Sequence, residues 1–259
     1  MAIVKHEPAE FRSRLAKGEV VAGTFIKTPT AHAIEIFGEI GYDFVVIDEE
    51  HAPFDRQAID HGLLAARAGR IAALVRVASA SASNILSVLD GGATGVLVPH
   101  VASVERAREI ANACRYRGGS RGFSNSPRAG RYGGLGMWEH VEAGDSLTTV
   151  VAQIEDPEAL DHIDAIARVD GIHCLFVGRG DLAVAMGAKS PEAPEVQAAT
   201  ERTCMAAKAA GKPAMVFVGS AADAKSMHNL GATAFIYASD QGLMRRAAAA
   251  ALRELKAIG

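Results

Sequence analysis

The chain is expected to fold as a (β/α)8 barrel. Eight short apolar runs recur along its 259 residues, helix-patterned segments lie between them, and most runs lack polar alternation. A strand without alternation is covered on both faces, as in a parallel sheet wrapped by helices. The runs are residues 20–26, 44–48, 72–77, 95–101, 149–155, 174–178, 213–218 and 234–238. The helical segments are 31–40, 56–68, 82–89, 104–115, 157–168, 195–210, 221–230 and 241–257. Gly41, Gly69, Gly91, Gly211 and Gly231 stand where helices should stop. A barrel of about 250 residues usually forms one domain, so 1–259 reads as a single unit. The alternative is a doubly wound open sheet, but no Gly-x-Gly-x-x-Gly follows the first strand.

Composition narrows the function. Hydrophobic residues make up 49% and net charge is −3, with basic residues scattered, so no nucleic-acid partner is expected. The N-terminus carries no signal-peptide core, and no apolar run approaches the roughly 20 residues that span a bilayer. Cys114, Cys174 and Cys204 lie far apart without zinc spacing, reading as buried thiols in a cytoplasmic protein. One connection, 116–146, is long and rich in Gly and Arg. Loops of that length are usually functional or disordered.

In such a barrel the chemistry sits at the carboxyl ends of the strands. Those ends carry Lys27, Asp48-Glu49-Glu50-His51, Arg76, His100, Gln153 with Glu155, Arg179 with Asp181, Gly219-Ser220 and Ser239-Asp240. Strand alternation puts Gln153 and Glu155 on one face. With Asp181 they offer two carboxylates and an amide, oxygen donors suited to a hard divalent cation; the plainer reading is solvated loop carboxylates. Arg76 ends an apolar strand, as an anion-binding or oxyanion group or as an ion-pair partner of Asp48 or Glu50. His51 suits a general base or proton shuttle, or else a hydrogen-bonded loop histidine. His100 is balanced between function and structure, while His173, ahead of strand six, reads as structural.

The same residues carry a family resemblance. Asp43-Phe44-Val45-Val46-Ile47-Asp48-Glu49-Glu50-His51-Ala52-Pro53-Phe54-Asp55 resembles the second-strand motif of the HpcH/HpaI aldolases, the metal-dependent class II pyruvate aldolases. The run from Leu89-Asp90-Gly91-Gly92 to Pro99, then Ser120-Arg121-Gly122, Gln153-Ile154-Glu155 and Val177-Gly178-Arg179-Gly180-Asp181-Leu182, match further signatures in order. The resemblance implies Glu155 and Asp181 as metal ligands and Gln153 as a substrate contact. It implies Arg76 on the pyruvyl oxygen, a His51–Asp90 dyad handling protons, and amides around Gly180 and Asp181 holding the substrate carboxylate. It also implies a hexamer with a helix exchanged between neighbours. The chain departs from the family at Arg179, where a proline is usual, at Arg117-Gly118 after Tyr116, and at His100, where a nonpolar residue is typical. Arg179 places an extra guanidinium beside the expected carboxylate site, and Asp90, ending a helix, should lie near the barrel's bottom, so that its part in a dyad depends on loop geometry or a neighbouring subunit.

The implied activity is reversible aldol cleavage of 4-hydroxy-2-oxo acids to pyruvate, or a close 2-oxo acid, and an aldehyde, with Mg²⁺, Mn²⁺ or Co²⁺ as Lewis acid. Three rivals remain at this stage. A Schiff-base aldolase would use Lys27, the only lysine at a predicted strand end. A citrate-lyase-like lyase or decarboxylase would share the metal enolate, and a noncatalytic 2-oxo-acid-binding protein would share only the pocket.

Overall fold

The computed structural model describes residues 5–258; readings made on residues 1–4 and on 259 lie outside the described residues. Eight parallel strands close into a barrel: β1 (Val21–Ile26), β2 (Phe44–Asp48), β3 (Ala72–Arg76), β4 (Gly95–Val98), β5 (Thr149–Ile154), β6 (Cys174–Val177), β7 (Ala214–Val218) and β8 (Ala232–Ser239), with β8 pairing back to β1. The helices are α1 (Phe11–Ala16), α2 (Ala31–Ile40), α3 (Arg56–Ala68), α4 (Ala82–Asp90), α5 (Val104–Cys114), α6 (Met137–Leu147), α7 (Ile163–Ala167), α8 (Arg179–Ala185), α9 (Pro194–Ala209), α10 (Ala221–Asn229) and α11 (Asp240–Lys256). The predicted (β/α)8 barrel is the observed one. Among the described residues no helix is long and apolar enough to cross a membrane.

The period of two sorts each strand into two cores. Phe44, Val46, Ala72, Leu74, Leu97, Val151, Phe176 and Met215 fill the barrel interior, while Val45, Ile47, Val75, Val96 and Val150 pack outward under the helices. Continuing the inward row upward brings Asp48, Arg76 and Gln153 to the carboxyl rim. The βα loops end in side-chain caps: Thr30, Asp55, Ser81, Ser103, Ser220 and Ser239 each accept an amide from the helix they start.

Several elements depart from the sequence reading. The segment 157–168 is a 3-10 turn, Pro157–His162, followed by the short α7. β4 ends at Val98 because Pro99 has no amide to donate and His100 takes a left-handed backbone, φ 55°. α1 plugs the bottom, where Phe11 lies 5.1 Å from Phe44 between ring centroids, and Gly23 leaves the space that the Phe44 ring occupies. The long connection 116–146 holds a 3-10 turn, Arg128–Gly133, and most of α6. It lies across the barrel's bottom: Arg121 pairs with Asp90 at 3.2 Å, and Arg128 reaches Asp60 at 2.8 Å.

α11 behaves unlike the other long helices. Only its first residue, Asp240, is buried, accepting the Lys27 and Thr28 amides at 2.8 and 3.0 Å. Beyond that anchor Met244, Leu252 and Leu255 stand exposed, and Ile258 follows them.

His173 is structural, as its position suggested. Its Nδ1 accepts the Val150 amide at 3.0 Å, and burial, reinforced by the charge of Arg12, lowers its pKa to about 3. The folded state therefore keeps His173 neutral while the unfolded chain takes a proton below its ordinary value of 6.5. Stability from this residue is intact above that pH and falls as pH drops toward 3. His173→Asn, which keeps an acceptor but cannot titrate, should lose less stability than the parent between pH 7.5 and 4.5 in urea unfolding. A parent–variant difference unchanged by pH would refute the assignment.

Candidate active site

The rim of the barrel is polar above an aromatic floor. The Phe25 ring lies 6.4 Å from Phe176 and 6.1 Å from Phe217, and the Arg76 guanidinium sits 4.6 Å above its centroid. Paired strand ends then set the charges, since Asp48 and Arg76 are register partners on β2 and β3. Arg76 donates from Nε and Nη2 to the two oxygens of Asp48 at 2.9 and 2.7 Å, and its Nη1 lies 3.3 Å from Glu50. Asp48 is 0% exposed and also pairs with Lys27 at 3.0 Å. Burial works against its charge, but Arg76 and Lys27 outweigh it and hold its carboxyl below the usual range. The ion-pair reading of Arg76 is the one observed: Nε and Nη2 are taken by Asp48, and Nη1 is the nitrogen nearest Glu50.

Gln153 and Glu155 share the inward face of the fifth strand and the residue beyond it, and both are buried. Glu155 is 3% exposed, receiving the His100 amide at 2.8 Å on Oε1 and the Gln153 amide on Oε2. Burial pushes its pKa up to about 7; the two hydrogen bonds oppose that shift, and the nearby charge of Asp181 adds to it. Gln153 Oε1 is buried without a partner. Gly178 makes room for this pair, since a Cβ there would come 2.8 Å from Glu155 Cβ. Gly180 and Asp181 are exposed in the first turn of α8, and the space around Gly180 is open. The buried Glu155 carboxylate and the orphaned Gln153 oxygen beside it form an oxygen donor pair that clusters with Glu50 and His100, whereas Asp181, exposed on α8, is not part of that cluster. These residues fit a divalent cation.

Glu50 links the two halves of the rim. One ligand atom each from Glu50, His100 and Glu155 lie within 4.8 Å of one another. His51 is 53% exposed on its side chain, with Nε2 3.7 Å from Glu50 and its amide donating to Asp48 at 3.2 Å.

Two expectations need correcting. Asp90 ends α4 at the barrel's bottom, bonded to Arg121, whereas His51 follows β2 at the top, so one chain alone does not form a His51–Asp90 dyad. Arg179 does not add its guanidinium to the carboxylate site. It is buried and turns to the Phe217 carbonyl at 2.8 Å and to Asp223 at 2.6 Å, tying β6 to the β7–α10 loop. In the sequence Glu50 is one acid among three, and nothing marks Asp156 but its place beside Glu155; it lies 3.1 Å from His100 Nδ1.

Comparison with known proteins identifies the family. Residues 22–247 match the family described as HpcH/HpaI aldolase/citrate lyase. The chain is 35% identical over 242 residues to 5-keto-4-deoxy-D-glucarate aldolase of Enterobacter sp. (strain 638), covering 93% of this chain and 94% of that one. It is 38% identical over 207 residues to 2-keto-3-deoxy-L-rhamnonate aldolase of Shigella sonnei (strain Ss046), covering 79% and 77%. A solved HpcH/HpaI aldolase/citrate lyase family protein from Burkholderia cenocepacia J2315 superposes with a TM-score of 0.91 at 27% identity, over 96% of this chain and 99% of that one. On the family match over most of its length and on these identities, this chain belongs to the HpcH/HpaI aldolase/citrate lyase family.

Proposed function

We propose that this site carries out metal-dependent, reversible aldol cleavage of 4-hydroxy-2-oxo acids, releasing pyruvate or a close 2-oxo acid and an aldehyde. The observation that carries the reading is the meeting of a buried oxygen donor set, Glu155 with Gln153, and a guanidinium fixed by Asp48 on one rim. The two aldolase relatives, by their names, act on 2-keto-3-deoxy and 5-keto-4-deoxy sugar acids, which supports a sugar-acid substrate here.

Glu155 and Asp181 would hold the cation, Mg²⁺, Mn²⁺ or Co²⁺, with Gln153 turned toward the substrate. Bound there, such an ion supplies Lewis-acid activation of a 2-oxo group. Arg76 presents its fixed charge where negative charge grows on the 2-oxo oxygen. The first-turn amides of α8, at Gly180 and Asp181, have no acceptor within their helix and suit the substrate carboxylate. His51, beside Glu50 and open to solvent, takes the proton of the 4-hydroxyl during cleavage. If Asp90 assists it, that carboxylate comes from another copy of the chain.

The test is pyruvate release from a 4-hydroxy-2-oxo acid by metal-stripped protein, with and without Mn²⁺. Release that requires Mn²⁺ is expected. Equal release without metal would redirect attention to Lys27 and a Schiff base, although that amine is paired with Asp48. Binding of pyruvate without turnover would revive the noncatalytic reading, and product analysis separates a lyase or decarboxylase.

The bare α11 supports exchange of this helix with a neighbour in a homo-oligomer, a hexamer by the family resemblance. Leu243 packs against its own barrel, but Met244, Leu252 and Leu255 stand exposed, and burying each would contribute about 1.5–3 kcal/mol. Leu252→Glu with Leu255→Glu is expected to yield smaller particles by light scattering, while far-ultraviolet dichroism stays barrel-like. Unchanged mass would argue against the exchange. The three thiols are buried and unpaired, in keeping with a cytoplasmic enzyme.

A further inference from the structure

We propose that His100 is a nitrogen ligand of the metal centre, binding through Nε2, which faces Glu50, and making this a mixed nitrogen–oxygen site. The inference rests on the metal-centre reading above but concerns a residue that the family pattern does not supply. Four observations point to it. The backbone at His100 is left-handed, a conformation that L-residues adopt infrequently, and it hands the His100 amide to Glu155 Oε1 at 2.8 Å. The imidazole and the buried carboxylate are therefore set by one residue. Asp156 lies 3.1 and 3.2 Å from Nδ1, so it accepts that N–H and leaves the Nε2 lone pair free. A carboxylate behind one ring nitrogen is the usual support of a metal-ligating histidine.

The third observation is distance. Nε2 is 4.0 Å from Glu50 Oε1, inside the about 4.2 Å that two ligands at about 2.1 Å can span across one ion. The nitrogen nearer Glu155 is Nδ1, at 3.4 Å, so Nε2 is the one turned toward Glu50, and one ligand atom from each of Glu50, His100 and Glu155 falls within 4.8 Å of the others. The fourth is the wholly buried Gln153 on the other side of Glu155, whose Oε1 has no partner. An all-oxygen site favours Mg²⁺, whereas an imidazole favours the later first-row ions.

The experiment is pulsed electron paramagnetic resonance of Mn²⁺ bound to the metal-stripped full chain and to His100→Asn. Asparagine tolerates the left-handed backbone and keeps the amide that holds Glu155. The expected result is directly coordinated imidazole nitrogen in the parent and its loss in the variant, with both still binding Mn²⁺. In parallel titrations, Co²⁺ affinity should fall roughly tenfold more than Mg²⁺ affinity on substitution. Mn²⁺ bound without a nitrogen coupling, or a coupling that survives in His100→Asn, would overturn the role of His100 and leave the oxygen centre standing. A parent that binds no Mn²⁺ would overturn both together.

Discussion

Glu155→Gln is expected to abolish metal-dependent pyruvate release, by on the order of 10³-fold or more at limiting Mn²⁺. Substitutions of outer partners already cost about 10–100-fold in metal affinity or activity, and a direct ligand should cost more. The variant keeps the side-chain length and an oxygen for the His100 amide, so folding should survive. Its metal-free form should be as stable as the parent near neutrality, or more so. Glu155 has a folded pKa of about 7 against an ordinary 4.5, so the folded state binds the extra proton between those values. Parent stability from this group is therefore largest below pH 4.5 and declines as pH rises toward 7; glutamine removes that slope. Added Mn²⁺ at a hundredfold excess over Kd should stabilise the parent by about 2.7 kcal/mol and the variant scarcely at all. A variant that unfolds without metal, or that responds to Mn²⁺ as the parent does, would show Glu155 to be a structural carboxylate.

That contrast depends on a pair that strand alternation made legible. Gln153 and Glu155 had to share a face, and the run ending at Arg76 had to deliver a guanidinium to the same rim, because inward residues of parallel strands stack in layers. The helix starts were equally open, since Thr30, Asp55 and Ser81 precede their helices with side-chain caps. Residues whose place depends on tertiary contact were not legible. Arg179 follows a strand end, but only the fold reveals that Asp223, 44 positions away, draws its guanidinium aside. α1 is too short and weakly patterned to announce itself, being fixed by Phe11 against Phe44. Asp90 carried its own warning, because a residue that ends a helix leading into a strand sits at the amino end of the barrel. The bare face of α11 is a property of the assembled chain, and its spacing alone gave only a helix.

Arg76→Lys is expected to lower kcat by about 10²–10³-fold, the cost of losing one fixed donor to a developing oxyanion. Charge is kept in this variant, so the loss would come from geometry. The guanidinium donates twice to Asp48 and turns Nη1 toward Glu50, three directions that one ammonium on a flexible stem cannot hold together. It also lies over Phe25, 4.6 Å from the ring centroid, close enough to gain from the ring face. Arg76→Ala should differ in kind: Asp48, wholly buried, would keep only Lys27, and breaking such a pair costs about 3–5 kcal/mol. Measuring kcat, KM and urea unfolding for both variants separates the two roles. The lysine variant should lose turnover with modest loss of stability, and the alanine variant should lose both. Near-parental kcat in Arg76→Lys would mean that Asp48 and Arg76 form a structural ion pair, and the charge that meets the substrate would have to be sought elsewhere on the rim.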